Sequence, residues 1–256
     1  MARRRTLATA LFIATTLATG AHAEPVKLVT GNDYKPFTDA ELNGGGLVTT
    51  LVEAAYDVAG KETTVSFTSW KRAEHKVLNG EARATFPHVK TKPRLKKFAY
   101  SDPIFVNDVV PVVKPKNADS YTGLAALKGG HTCMPFEWSF GHEKLDQWAG
   151  TDKLKVERPD SMTTCYKLLD AGRVDFIVAD APTVPFDARE VLGSADKVHR
   201  EAFTLTRGKL HVMFDKDASN AEAKVAAFNE ALTQLKESGR YDEIVHDYLE
   251  QGGATR

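Results

Sequence analysis

Thr85-Phe86-Pro87-His88-Val89-Lys90-Thr91-Lys92-Pro93-Arg94-Leu95-Lys96-Lys97-Phe98-Ala99-Tyr100-Ser101-Asp102-Pro103-Ile104-Phe105 is the stretch whose reading decides the fold. It runs from a short apolar strand through a basic loop to Arg94, then a helical turn, an aromatic and Ser101-Asp102-Pro103. An arginine is always charged, and its planar fork matches a carboxylate through two hydrogen bonds. On composition alone the segment is a solvated basic loop. The regular spacing from Arg94 to Ser101-Asp102-Pro103 is what sets it apart.

Outward from it, short β-patterned runs alternate with helical ones. Val26–Thr30 is a short alternating strand followed by the turn-forming loop Gly31–Phe37. Leu47, Leu51, Ala55 and Val58 recur at three- and four-residue steps, predicting a helix over 47–59 closed by Gly60. Val65–Phe67 is a second strand, Trp70 stands just beyond it, and 71–79 is a helix. The spacing then predicts strands at 82–86, 109–113, 131–134, 154–156, 174–180 and 209–214. Helices are expected over 142–149, 165–171, 221–236 and 241–249. Such alternation predicts an α/β architecture with ligand contacts on the loops at strand ends.

The 256 residues carry 34 basic and 34 acidic side chains. Residues 1–23 have Arg3-Arg4-Arg5, an apolar run from Leu7 to Leu17 and Ala21-His22-Ala23, the pattern of a cleavable secretory signal. Without it the balance is −3, since the segment holds three arginines and no acid. That offers no basic field for nucleic acid. The mature chain is expected to begin at Glu24 in the periplasm, with no cysteine there to take a lipid anchor. Cys133 and Cys165 then meet an oxidising compartment, so a disulfide is the first reading and two buried thiols the second. Neither has metal-ligand spacing to another Cys or His, and no cofactor fingerprint appears.

The Thr91-x-x-Arg94…Ser101-x-Pro103 block resembles the T-x-x-R…F-S-x-P-Y segment of family 3 solute-binding proteins, the polar amino acid receptors of ABC importers. Tyr34-x-Pro36-Phe37, Gly172-Arg173-Val174-Asp175-Phe176-Ile177-Val178-Ala179-Asp180 and Leu235-Lys236-Glu237-Ser238-Gly239-Arg240-Tyr241-Asp242-Glu243-Ile244 extend the resemblance along the mature chain. It implies a two-lobed type II periplasmic binding protein with two crossover hinge segments. Lobe 1 would be 24–108 with 206–256, lobe 2 would be 112–205, and the crossings 109–111 and about 205–208. By the same resemblance, Arg94 would hold a ligand's α-carboxylate and Asp180 its α-amino group. Tyr34 and Trp70 would wall the slot, and Ser139 would add a hydroxyl donor. The partners implied are a small-molecule ligand and an ABC permease, with the receptor a monomer.

Three departures bear on the ligand. Gly46-Leu47-Val48-Thr49-Thr50 lacks the acids of the family's G-F-D-V-D signature. Phe86-Pro87-His88-Val89 replaces a small residue and a hydroxyl, with no N–H at Pro87. Glu137 adds a negative charge near the expected carboxylate pocket. The alternative from another class is a cyclohexadienyl dehydratase-like enzyme, for which Glu137 is the one general-acid candidate. A solo periplasmic sensor or accessory subunit is the third reading. The chain ends soon after the binding-protein tail, so a fused kinase is not expected. His142-Glu143-Lys144-Leu145-Asp146 lacks the second histidine of a zinc-protease helix, and Ser139 lacks a nucleophile elbow.

Overall fold

The computed structural model describes residues 24–136 and 138–250. The secretory signal expected at 1–23, and Glu137, lie outside the described residues. Strands β1 (Val26–Gly31), β2 (Thr63–Thr68) and β3 (Ala84–His88) pair in parallel around β1, linked by α1 (Leu47–Val58) and α2 (Trp70–Leu78). After α3 (Lys92–Leu95) and β4 (Phe98–Tyr100) comes the nine-residue β5 (Phe105–Val113). The second half contains β6 (His131–Cys133), α4 (Glu143–Trp148), β7 (Lys155–Glu157), α5 (Met162–Asp170), β8 (Phe176–Asp180), α6 (Val184–Leu192) and β9 (His199–Arg200). β10 (Thr206–Asp215), α7 (Ala221–Glu237) and α8 (Arg240–Glu250) return to the first half.

Hydrogen-bonded neighbours run β2-β1-β3-β10-β5-β8-β6-β7, with β4 on β10 and β9 on β5. Two strands make the passage. Thr206 to Leu210 of β10 pair antiparallel with Val109 to Phe105 of β5. Beyond that stretch β5 pairs with β8, while β10 pairs with β3 and β4.

The apolar cores separate cleanly between the halves. Strand alternation puts Leu28 on one face of the first sheet, with Leu47, Leu51, Phe228 and Leu232, and Val29 on the other, with Ala73, Val77 and Met213. In the second sheet Ile177 joins Cys133, Cys165 and Tyr166, whereas Phe176 and Val178 join Leu127, Phe140 and Leu145. No described residue of these clusters is shared between halves. Each half therefore has its own core, which is what a two-lobed molecule requires. Cys133 and Cys165 are joined by a disulfide inside the second core, tying β6 to α5 with Cα atoms 5.4 Å apart.

Helix α2 starts at Trp70 itself, so the indole sits on the first turn and not in the loop before it. The segment after Asp180 is more than a turn. Thr183 precedes nine-residue α6, whose Pro185 stands at a position where no helical N–H partner is needed. At Ser161 the side chain accepts from Thr164 N–H and caps α5.

Candidate functional site

Four side chains at or just beyond the C-terminal ends of parallel strands, Asp180, Tyr34, Trp70 and His88, touch one another in that order, and no contact joins Ser139 to them among the described residues. Tyr34 follows β1, Trp70 follows β2, His88 closes β3, Ser139 follows β6 and Asp180 closes β8. Tyr34 is held by a tight turn in which its N–H donates to the Thr38 carbonyl and its own carbonyl accepts from Phe37 and Thr38. Its ring lies edge-on to Phe37 at 4.9 Å and to Trp70 at 6.0 Å between centroids. Trp70 covers Gly31 so closely that a Cβ there would stand 2.1 Å from the indole. Only a bare backbone at the end of β1 lets the ring lie flat against it. On the far side Trp70 meets His88, centroids 5.6 Å apart.

Across the cleft, the Tyr34 hydroxyl donates to Asp180 Oδ2 at 2.5 Å. Asp180 Oδ1 accepts from Asn107 Nδ2, and Asn107 is a buried residue of β5. Burial pushes the Asp180 carboxyl up from its ordinary value, opposed by these two hydrogen bonds. Burial first, and then the Asp180 charge, push the Tyr34 phenol well up, so it remains a neutral donor. A second bond spans the cleft at its rim, where Lys35 Nζ lies 3.1 Å from Glu190 on α6. The same ammonium lies 3.5 Å from Glu41 and 4.0 Å from Asp39.

Behind Asp180, Asp187 of α6 is pushed up to about 7 by burial, with smaller upward contributions from Glu190 and Asp180. The Tyr166 hydroxyl lies beside it, buried, without a well-aligned hydrogen bond.

Arg94 and Ser139 have partners within their own lobes. Arg94 donates through Nε to Glu74 Oε1 at 2.9 Å, one turn along α2 from Trp70, and its Nη2 lies 2.8 Å from the same oxygen. Ser139 donates to Asp146 at 2.7 Å and accepts from Gly141 N–H at 2.9 Å, fastening the loop ahead of α4. His88 is buried, with its Nε2 3.0 Å from the Thr85 hydroxyl. Burial, and then the Arg94 charge, hold its ring well below the usual histidine range, so it is neutral. Ser101 is a fastening residue: its hydroxyl accepts from Val212 N–H, and its carbonyl meets His211 Nδ1 at 2.8 Å.

Four side chains at the site were not singled out from the sequence: Lys35, Glu74, Asn107 and Asp187. For Asn107 a signal existed, because Asn107-Asp108 interrupts an otherwise apolar β-run. Glu74 looked like any surface acid of a helix. Elsewhere, Asp119, His199 and Glu201 place ligand-type atoms within 4.8 Å of one another. Buried Glu201 accepts there from the N–H groups of Asp119 and Tyr121, which ties that loop to β9.

Two separately cored α/β lobes, joined by two strands and meeting at a polar and aromatic cleft, define a hinged receptor for a small solute. The model for bacterial extracellular solute-binding proteins, family 3, matches residues 26–251, and the chain belongs to that family. A "Probable histidine-binding protein" of Neisseria gonorrhoeae is 25% identical over 232 residues, covering 89% of this chain and 84% of that one. Among solved structures, a histidine kinase sensor domain similar to periplasmic binding proteins superposes with a TM-score of 0.71 at 17% identity. That match covers 89% of this chain and 97% of the other. An amino acid ABC transporter substrate-binding protein of Streptococcus pneumoniae, bound to L-arginine, has a TM-score of 0.68 at 18% identity. It covers 90% and 97% of the two chains. Among the described residues, no helix is long and apolar enough to cross a membrane.

Proposed function

We propose that this chain is a monomeric periplasmic receptor that captures a small polar solute carrying an ammonium group, an amino acid or a compound sharing that end. Hinge closure traps the solute, and the closed receptor delivers it to the membrane subunits of an ABC importer without chemical change. The observation that carries this reading is the meeting of Tyr34 and Asp180 across the cleft, with Trp70 beside them. A carboxylate at a strand's end suits an ammonium group, and flanking aromatic faces attract the same charge. The lobes that rotate are 24–108 with 206–256, and 112–205, export being directed by the cleavable segment 1–23. Two strands are a slight mechanical link, so a solute touching both walls shifts the population towards the closed form. The names of the relatives, which include a histidine-binding protein and an arginine-bound transporter subunit, support the solute class.

The test is a thermal-shift screen of the mature protein against amino acids, amines, sugars and organic acids, followed by small-angle scattering with each hit. An ammonium-bearing hit that raises the melting temperature, contracts the protein and is recovered unchanged after hours at 37 °C is the expected result. Hits confined to sugars or organic acids, or a hit converted to product, would refute it.

A further inference from the structure

We propose that the second lobe carries a site for one transition-metal ion of the zinc class, with Asp119, His199 and Glu201 as its protein ligands. One imidazole nitrogen and one oxygen from each carboxylate lie within 4.8 Å of one another. The site is separate from the cleft. His199 pairs with Val113 of β5, whereas Asp180 pairs with Val109, nearer the crossing onto β10.

Strand geometry assembles the set. β9 is held on β5 by the pairings of His199 with Val113 and Arg200 with Val112, and the Glu201 N–H donates to the Pro111 carbonyl. The two-residue alternation of an extended chain accounts for His199 and Glu201 sharing a face, with Arg200 on the other. Arg200 is accordingly engaged elsewhere, donating to the Ala181 carbonyl. Asp119 comes from the connection after β5, just beyond the short helical turn Pro115–Asn117. Its φ of 61° is left-handed, a conformation that aspartate visits more readily than most side chains. In that conformation its N–H donates to Glu201 Oε2 at 3.0 Å, and the Tyr121 N–H donates to Oε1 at 3.1 Å. Each oxygen keeps a further lone pair. The two bonds orient the carboxylate as outer-shell contacts orient a metal ligand.

The observation that calls for a cation is the burial of Glu201. The residue is only 3% exposed. Yet among the described residues no lysine or arginine lies within 4.0 Å of its carboxylate or of Asp119's. The nearest basic group is His199, whose Nε2 stands 3.9 Å from Glu201 Oε2, beyond hydrogen-bond reach. Buried carboxylates are ordinarily paired with a cation or coordinate a metal. Two neutral N–H groups satisfy lone pairs but leave the charge unmatched. An ion bridging the imidazole and both carboxylates matches it.

The donor set also selects the ion. Calcium and magnesium favour all-oxygen sites, whereas zinc and similar transition ions take imidazole nitrogen with carboxylate oxygen. Zinc bonds of about 2.0–2.2 Å set tetrahedral ligand atoms roughly 3.4 Å apart, so the set has to contract by on the order of 1 Å. Asp119 is exposed on its loop and free to make that movement. Three protein ligands leave the fourth position to water. The ion ties the connection after β5 to β9 and braces the second lobe.

The experiment is calorimetric titration of the untagged mature protein, first stripped with a chelator, with Zn²⁺ and separately with Ca²⁺. One Zn²⁺ should bind per chain and raise the melting temperature, and Ca²⁺ should do neither. His199→Gln and Asp119→Asn should each weaken Zn²⁺ binding by about tenfold or more, the loss that even an outer-shell partner typically causes. Neither change removes the main-chain bonds to Glu201, so melting temperatures without metal should stay near wild type. His75→Gln, at an exposed histidine of α2, should leave the affinity unchanged. Equal Zn²⁺ affinity in wild type and either ligand variant would overturn the inference. So would tighter binding of Ca²⁺ than of Zn²⁺, or no Zn²⁺ binding at millimolar concentration. None of these measurements involves the solute, so the receptor reading stands or falls separately.

Discussion

Asp187→Asn offers a quantitative check on the electrostatics behind the cleft. Burial pushes this carboxyl up from an ordinary 3.8 to about 7, with Thr183 and Tyr166 opposing and Glu190 and Asp180 reinforcing. Between pH 4 and 7 the folded chain keeps a proton that the unfolded chain has released. Stability therefore falls as pH rises through that window, because the folded state binds more protons than the unfolded one. The gap corresponds to at most about 4 kcal/mol at pH 7 and above, and solvent access to the partly exposed side chain brings it to about 2–4 kcal/mol. Asparagine never ionises. Its oxygen can still accept from Thr183, and its amide replaces the acid's O–H as a donor. Urea unfolding of wild type and variant at pH 4.5, 6 and 7.5 measures the difference. The variant should gain on wild type progressively with pH and level off above 7. A stability difference that is flat from pH 4.5 to 7.5 would refute an ionisable, buried Asp187.

The remaining predictions concern the scaffold. Replacing Cys133 and Cys165 together by Ser releases a crosslink spanning 32 residues and should cost about 3–4 kcal/mol in denaturant unfolding, with native mass spectrometry showing no free thiol in the wild type. Gly31→Ala places a methyl group where the Trp70 indole lies and should cost about 1–3 kcal/mol; on the proposed role of Trp70 beside the solute, it should also weaken solute binding. Unchanged affinity in that variant would mean Trp70 does not touch the solute.

Much of the architecture was legible in the sequence because secondary structure is encoded over a few residues. The three- and four-residue recurrence from Leu47 to Val58 made α1 visible, and short β-runs ended by turn formers marked most of the strands. The two cysteines and their compartment pointed to the disulfide now seen between β6 and α5. The motif spacing around Asp180 drew attention to the carboxylate that Tyr34 meets across the cleft. What a side chain does with its charge, however, depends on neighbours that the chain supplies from far away. Asp180 meets Tyr34 across 146 residues of sequence and Asn107 across 73, contacts that exist only because two crossing strands bring the lobes together. Arg94 finds Glu74 twenty residues earlier, on a different helix, and no local pattern distinguishes that acid from its solvated neighbours. Burial of Asp187 is likewise a property of α6 lying against α5. The sequence by itself determined the elements, their order and the family of folds. Tertiary packing decided which charges are matched and which await a partner, because desolvation and pairing depend on distances that local sequence does not set.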